Sequence, residues 1–501
     1  MDIKNLTITQ EDKPLIYTII VSLTIVYGYS LANYSMSIDN EFTEFFAQKL
    51  SIGRWGGAFL KETILPNPYA PFFTNLIFCI FLGFSAFTTS KLLSFKRNKA
   101  ILFSVLCISY PAIFYQADFI MQSDAVSIGM FVGVISAYLV ICSLEKIDST
   151  PRKIGIYILS ALFYCFSISV YQSIFNTALG IIAIFYAHNY YEGRKTLTIC
   201  KLLAYICWII SALSLYVICT KALQAIYHIE GASYLINQIG WLHNSLTVNI
   251  TTILAALYKL TTGSSYYGAA IFRLASVCFV LHVVMCFWKR RGAVSIIMAL
   301  LAYLSPFVLV IALASDAPPR TFTFQPFIHA FFICTIVFSY FKESTANYVT
   351  YILCIIGVWF GSSTYSKLMF SDHMIWQSDK ITAAEIISTI RNKIPQYSEG
   401  ETPIYFYGAL NKNNIWKPGN SDIFGSSFFA WDGGNSERII AFYRSNLIAD
   451  IKPVTYAQAM SINDKIKEVK PWPSREAIFM ENGIVVVKLS NNEGFTGNLS
   501  R

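Results

Sequence analysis

Residues 14–68 read PLIYTIIVSLTIVYGYSLANYSM followed by SIDNEFTEFFAQKLSIGRWGGAFLKETILPNP. The first part, Pro14 to Met36, holds no Lys, Arg, Asp or Glu. As a helix it is long enough to cross about 30 Å of hydrocarbon. The second part is a polar loop, Ser37 to Pro68, which places Asp39, Glu41 and Glu44 just past that crossing and then runs Ile52-Gly53-Arg54-Trp55-Gly56. Carboxylates at the mouth of a helix bundle can take a proton from a hydroxyl, and a nearby Arg can hold a phosphate. Asp39 is the first choice for the base and Glu41 the second. The competing structural roles are plain solvation of the loop and, for Asp39, the N-cap of a following helix. Phe42, Phe45, Phe46, Lys49 and Leu50 have the spacing of an amphipathic helix lying along the membrane interface.

The pattern repeats along the chain. Of 501 residues, 55% are hydrophobic and 13% charged, about half the charged share of a soluble domain. We read eleven apolar runs, at 14–36, 70–92, 100–115, 125–144, 154–171, 173–189, 202–226, 268–288, 293–314, 326–341 and 347–363. The fold class is therefore a polytopic α-helical membrane protein. The net charge of +9 comes from short Lys and Arg clusters between the runs, which suits a bilayer and not nucleic acid. All 11 cysteines lie in or beside apolar runs, so they read as packing residues and not as a disulfide or metal framework. The 6 histidines show no metal-ligand spacing. No metal or cofactor is implied, although a divalent ion held by distant loops is compatible with the chemistry.

Alternate connections differ in charge. One set carries Lys49, Arg54, Lys61, Lys259 and Arg320, whereas the other carries sixteen Lys and Arg. The excess of positive charge on the cytoplasmic side then puts the N-terminus inside and the tail outside, in the periplasm of a bacterium. Two domains are expected: a transmembrane domain, 1–363, with outward loops 37–69, 116–124, 228–267 and 315–325, and an external domain, 364–501. In the tail, Ile381, Ala384, Ile387 and Ile390 have helix spacing, Pro403 to Tyr407 is a strand, and Ser436 caps a helix to Asn446. Ala477-Ile478-Phe479-Met480 and Ile484 to Lys488 flank a Glu481-Asn482-Gly483 turn, a hairpin signature. This is a small α/β domain without a nucleotide fingerprint.

The outward loops hold the other candidates. Tyr115 to Asp124 reads as a short turn in which Gln116, Asp118 and Gln122 can hydrogen-bond sugar hydroxyls, and Asp124 can also N-cap the run that follows. Arg320, between two prolines and a Thr, is the first choice for a lipid-phosphate ligand, with a plain interfacial anchor as the alternative. Arg273 lies inside a span, where a charge is costly and usually functional or paired. Nucleotide sugars are cytoplasmic, so a transferase with outward-facing chemistry needs a donor already carried across the bilayer, such as a polyprenyl-phosphate sugar.

The acids after the first span, Gly53-Arg54-Trp55, the Gln116 to Asp124 turn and the external tail together resemble the serotype-converting O-antigen glucosyltransferases of temperate phages and enterobacterial chromosomes, phage-type Gtr proteins of the GT-C class. The resemblance covers the topology of the whole chain, with short local motifs. It implies an inverting glucosyltransferase of the bacterial inner membrane. Its donor would be undecaprenyl-phosphate glucose, its acceptor a lipid-linked O-antigen repeat unit of lipopolysaccharide, and its base an Asp in the first external loop, where Asp39 or Glu41 stands. Three other functions are compatible with a multi-span chain. An O-antigen polymerase or ligase would consume a diphosphate-linked glycan. A transporter or flippase would carry charge at mid-membrane, and a membrane acyltransferase would need a paired His and acid.

Overall fold

The computed structural model describes residues 7–43, 45–147, 149–194, 197–232, 239–264, 269–419 and 423–492. Glu44 and parts of the 228–267 stretch lie outside them. The chain divides into two compact units, one of residues 1–33 and 44–366, the other of residues 34–43 and 367–501.

The first unit is helical. It begins with α1 (Lys13–Ala32), α2 (Phe46–Ser51), α3 (Trp55–Thr63) and α4 (Pro71–Leu92). It continues through α5 (Arg97–Ser109), α6 (Pro111–Asp118), α7 (Ile120–Lys146), α8 (Thr150–Val170), α9 (Phe175–Tyr191) and α10 (Ile199–Ile226). Beyond these come Leu246–Thr262, Ala269–Trp288, Ala293–Leu304, Val308–Leu313, Gln325–Tyr340 and the first half of Glu343–Lys393. Every apolar run read from the sequence is helical. Eight helices among the described residues are long and apolar enough to cross a membrane, nine if the bent pair α5–α6 counts as one. Two causes separate that number from eleven. Pro111 breaks the 100–115 run, bending it by 49°, because proline lacks the N–H and crowds the preceding turn. Two other runs form only the 17-residue α9 and the 16-residue Gln325–Tyr340.

Two expected loops are corrected. Gln116 to Asp124 is no turn in solvent: α6 ends at Asp118, α7 starts at Ile120, and every residue from Pro111 to Ser127 is buried. The helix after that run thus starts four residues before Asp124, with Phe119 at its N-cap, so Asp124 is not the cap. The 228–267 stretch likewise carries the helix Leu246–Thr262, capped by Ser245 and closed by Gly263 in the left-handed region. In the 116–124 stretch polar residues are buried against neighbouring helices, so a helix there reads in sequence as a solvated turn.

The second unit holds a three-stranded sheet in the order β1-β3-β2, from β1 (Ile404–Tyr407), β2 (Ile478–Glu481) and β3 (Ile484–Lys488). β2 and β3 form the antiparallel hairpin, with Asn482 and Gly483 both at positive φ, the geometry of a two-residue primed turn. β1 lies parallel to β3. Ile404 and Phe406 pack with Ile386, Ile387, Ile390, Phe442 and Tyr443, whereas Tyr405 and Tyr407 pack with Val454, Ile462 and Ile466. Period-two alternation thus buries the sheet on both faces. Two tail details change. The buried face of the helix runs through Ala383, Ile386, Ile387 and Ile390, leaving Ile381 61% exposed, and the second helix is capped by Asn435 and not by Ser436. Met36 belongs to this same core.

Candidate active site

In the second unit the segment 34–43 carries both acids. Asp39 sits at φ +70, a left-handed conformation that Asp tolerates better than most side chains, within turns closed by Asn40 N–H to Ser37 O and Phe42 N–H to Asp39 O. The next helix, α2, begins at Phe46 behind an N-cap at Phe45. Asp39 therefore caps nothing, and Phe42 and Phe45 lie before that helix.

Both acids meet Arg438, the third residue of the helix Ser436–Ser445. That helix is held by Ile439, Ile440, Phe442 and Tyr443 in the core. Arg438 donates from Nη2 to Asp39 Oδ1 at 2.8 Å, from Nη1 to Glu41 Oε1, and from Nε to Asp432 Oδ2 at 2.5 Å. Phe42 covers the guanidinium at 5.3 Å. A cation in the first helical turn opposes the macrodipole; three carboxylates more than offset it, and their charge raises the guanidinium's affinity for its proton against the effect of burial.

The two acids differ in environment. Glu41 is 2% exposed. Burial pushes its carboxyl up to about 7, with Arg438 opposing and Asp39 adding to the rise. Its Oε2 has no hydrogen-bond partner, which leaves a buried acceptor open to a hydroxyl. The Asp39 side chain is 31% exposed. The arrangement is one accessible carboxylate, fixed in direction by a guanidinium fork, beside one buried carboxyl that changes charge near neutrality.

The first unit gathers cations. Gly56 and Gly57 let α3 lie against the end of α8: a Cβ on Gly57 would sit 3.0 Å from the Val170 carbonyl oxygen, and one on Gly56 2.2 Å from Ser169 Oγ. This docking aims Lys61 at Asp124, Nζ to Oδ2 2.8 Å, with side chains 4% and 0% exposed. Lys49 on α2 is 7% exposed. Burial and then Lys61 push it down to about 8, and burial likewise lowers Lys61 although Asp124 opposes this. Arg54 donates from Nε to Gln172 Oε1 at 2.9 Å and stacks on Tyr171 at 4.4 Å. Gln172 in turn donates to the Ile52 carbonyl at 2.6 Å. Lys61 and Lys49 thus both act on the one buried carboxylate of Asp124, with Arg54 adding to the positive charge felt by Lys49, and such an excess of positive charge is suited to a phosphate.

The remaining candidates sit around the start of α7. Arg320 stacks on Phe119 at 4.5 Å and has no ion pair among the described residues. Asp124, five residues on from Phe119, is about 7 Å further along the axis. Gln116 is fully buried with neither amide atom hydrogen-bonded, and Asp118 and Gln122 are buried beside the same junction. An orphaned buried amide costs about 1–3 kcal/mol, a cost that folding alone gives no reason to keep. Arg273 stands apart, exposed on its helix five residues from the start and joined to none of these groups.

Residues 28–340, more than half of the sequence, match the family described as Glucosyl transferase GtrII. The chain belongs to the GtrII glucosyl transferase family. Within this GtrII-family chain, Asp39, Glu41, Lys49, Arg54, Lys61, Asp124 and Arg320 all fall inside the matched residues, whereas Arg438 falls outside them. Among solved structures, the chain is similar to an oligosaccharyltransferase of Archaeoglobus fulgidus, solved in complex with Zn and sulfate, at 11% identity and a TM-score of 0.40. The similarity covers 76% of this chain and 57% of that enzyme, so the chain spans little more than half of that relative's length. No curated protein sequence matches it.

Sequence reasoning missed Arg438, Lys49 and Lys61 as site residues. Arg438 had one weak signal, a cation in a first helical turn. Lys49 and Lys61 have no acid three or four residues away in sequence, and only the docking of α3 brings Asp124 to Lys61. Among the described residues no group of His, Cys, Asp or Glu is arranged to hold a metal ion.

Proposed function

We propose that this GtrII-family chain is a membrane glycosyltransferase that moves glucose from undecaprenyl-phosphate glucose to O-antigen repeat units of lipopolysaccharide, changing serotype. Asp39 takes the proton of an acceptor hydroxyl, whose oxygen then bonds to the anomeric carbon as the bond from that carbon to the phosphate oxygen breaks. The configuration inverts, and the lipid phosphate leaves as an anion. Lys49, Arg54, Lys61 and Arg320 are the groups suited to receive that charge. Gln116, Asp118 and Gln122 are suited to sugar hydroxyls, and no role falls to Arg273 beyond anchoring at the interface.

The observation that carries the reading is the shared hold of Arg438 on Asp39 and Glu41, with Glu41 near 7. A purely structural ion pair has no need of an extra buried acid and an open carboxylate oxygen. The chemistry belongs to the outer face of a bacterial inner membrane, with the N-terminus cytoplasmic and the 364–501 domain periplasmic, as the Lys and Arg asymmetry suggests.

The test is transfer by the purified full-length protein from undecaprenyl-phosphate glucose, together with lipopolysaccharide mass with and without the gene. A gain of one hexose per repeat is expected. Asp39→Asn should abolish it at unchanged protein level in the membrane; retained transfer would move the base to Glu41 or Asp118. Consumption of a diphosphate-linked glycan instead would favour a polymerase or ligase.

A further inference from the structure

Far from the Arg54 and Lys61 region, at the opposite ends of α4 and α9, the first unit has a polar cavity of about 730 Å3. The 22 residues of α4 separate the two regions by about 33 Å along its axis. Lys96, Arg97 and Lys99 line it from the start of α5, His188 and Arg194 from the end of α9 and the turn beyond it, and Asn98 reaches across to Asn347 at 2.6 Å. The acids in its wall are Glu192 and Glu343.

Two observations separate this cavity from ordinary positive charge at a membrane face. Its charges do not cancel: Glu343 meets only Lys96, at 3.7 Å with both side chains more than 75% exposed, a contact of little energy. Arg97 and Arg194 have no ion pair among the described residues. His188 also lines the wall at 7% exposure, with its Nδ1 unpartnered. The ring is fixed edge-on to Phe95 at 5.4 Å, and Lys99 Nζ stands 4.3 Å from the centroid of that same Phe95 ring. A buried imidazole nitrogen left unbonded beside uncompensated guanidinium and ammonium groups suits an oxyanion, which accepts hydrogen bonds from all three. The volume is within the range of small-ligand sites, about 300–1,000 Å3.

We propose that this cavity is a binding site for a phosphate ester group, separate from the donor site on the other face and independent of the reading given for it. The phosphate could belong to a lipid headgroup or to a free phosphate compound, and the experiment distinguishes the two. Thermal unfolding of the purified full-length protein is followed against inorganic pyrophosphate in detergent, and against phosphatidylglycerol in nanodiscs whose other lipid is zwitterionic. Protection by both probes assigns the site to the phosphate itself, and protection by the lipid alone to a headgroup.

Arg97→Ala/Arg194→Ala, at two exposed positions, should raise the half-protecting concentration at least tenfold. His188→Asn should raise it about threefold, and Lys342→Ala, a nearby exposed cation outside the cavity wall, should leave it unchanged. Lys96→Gln gives a second reading should the double variant be unstable. Absence of protection by either probe overturns the proposal. So does an equal loss in Lys342→Ala, which would mean attraction to the face as a whole.

Discussion

Arg438 Nη2 lies 2.8 Å from Asp39 Oδ1, joining two side chains 399 positions apart in the sequence. The same guanidinium holds Glu41 and Asp432, so the direction of the Asp39 carboxylate depends on a residue in the tail. Arg438→Gln should lower kcat about 100-fold, the scale of a misplaced reacting group. Arg438→Lys should recover only part of it, because an ammonium cannot form the fork. Equal rates for Gln, Lys and wild type, measured by glucosyl transfer, would remove Arg438 from this role.

Glu41 carries a pH signature. Its folded carboxyl titrates at about 7 against an ordinary 4.5, so between those values the folded state holds more protons than the unfolded one. Stability therefore falls as pH rises through that window. Thermal midpoints of wild type and Glu41→Gln should diverge from about pH 4.5 to about pH 7, the wild type losing ground. Parallel curves would contradict the assignment.

The pair Lys61–Asp124 separates folding from donor binding. Lys61→Met strands a fully buried carboxylate and should cost about 3–5 kcal/mol. The double change Lys61→Met/Asp124→Leu should restore most of that stability in a thermal melt while leaving the donor KM raised. Recovery of both would make the pair structural only.

Lys49, lowered to about 8 by burial and by Lys61, loses its charge within an accessible range. The donor KM should climb as pH passes about 8, and Lys49→Arg, which stays protonated, should flatten the profile. A profile shared by both proteins assigns the pH effect to another group.

Arg320→Ala should raise the donor KM about tenfold with the acceptor KM unchanged, the effect of losing one charge-assisted contact of about 1.5 kcal/mol. An unchanged donor KM leaves Arg320 only its stacking on Phe119.

The parts legible in one dimension were those governed by hydropathy and local turn chemistry. In lipid only a helix or a closed β-barrel satisfies the backbone, and continuous apolar runs near 20 residues long fit the helix and not the short alternating strand; the runs are helical. The Asn482-Gly483 turn selects its hairpin through positive φ at both positions. Asp39, Glu41, Arg54 and Arg320 were visible as charged groups just outside apolar runs. The 116–124 stretch was misread because burial of a polar helix face leaves no mark in sequence, whereas Pro111 did mark the break before it.

By itself, then, the sequence determined a multi-span helical chain with a small α/β tail and acids just past the first crossing, because hydrophobic length, charge asymmetry and turn residues are local quantities. Only the tertiary structure decided that Arg438 clasps Asp39 and Glu41, that Lys61 meets Asp124, and that Lys49 sits buried within the influence of Lys61 and Asp124. Those are long-range encounters set by which helix faces pack together, and the burial they create is what moves Glu41 and Lys49 toward neutrality.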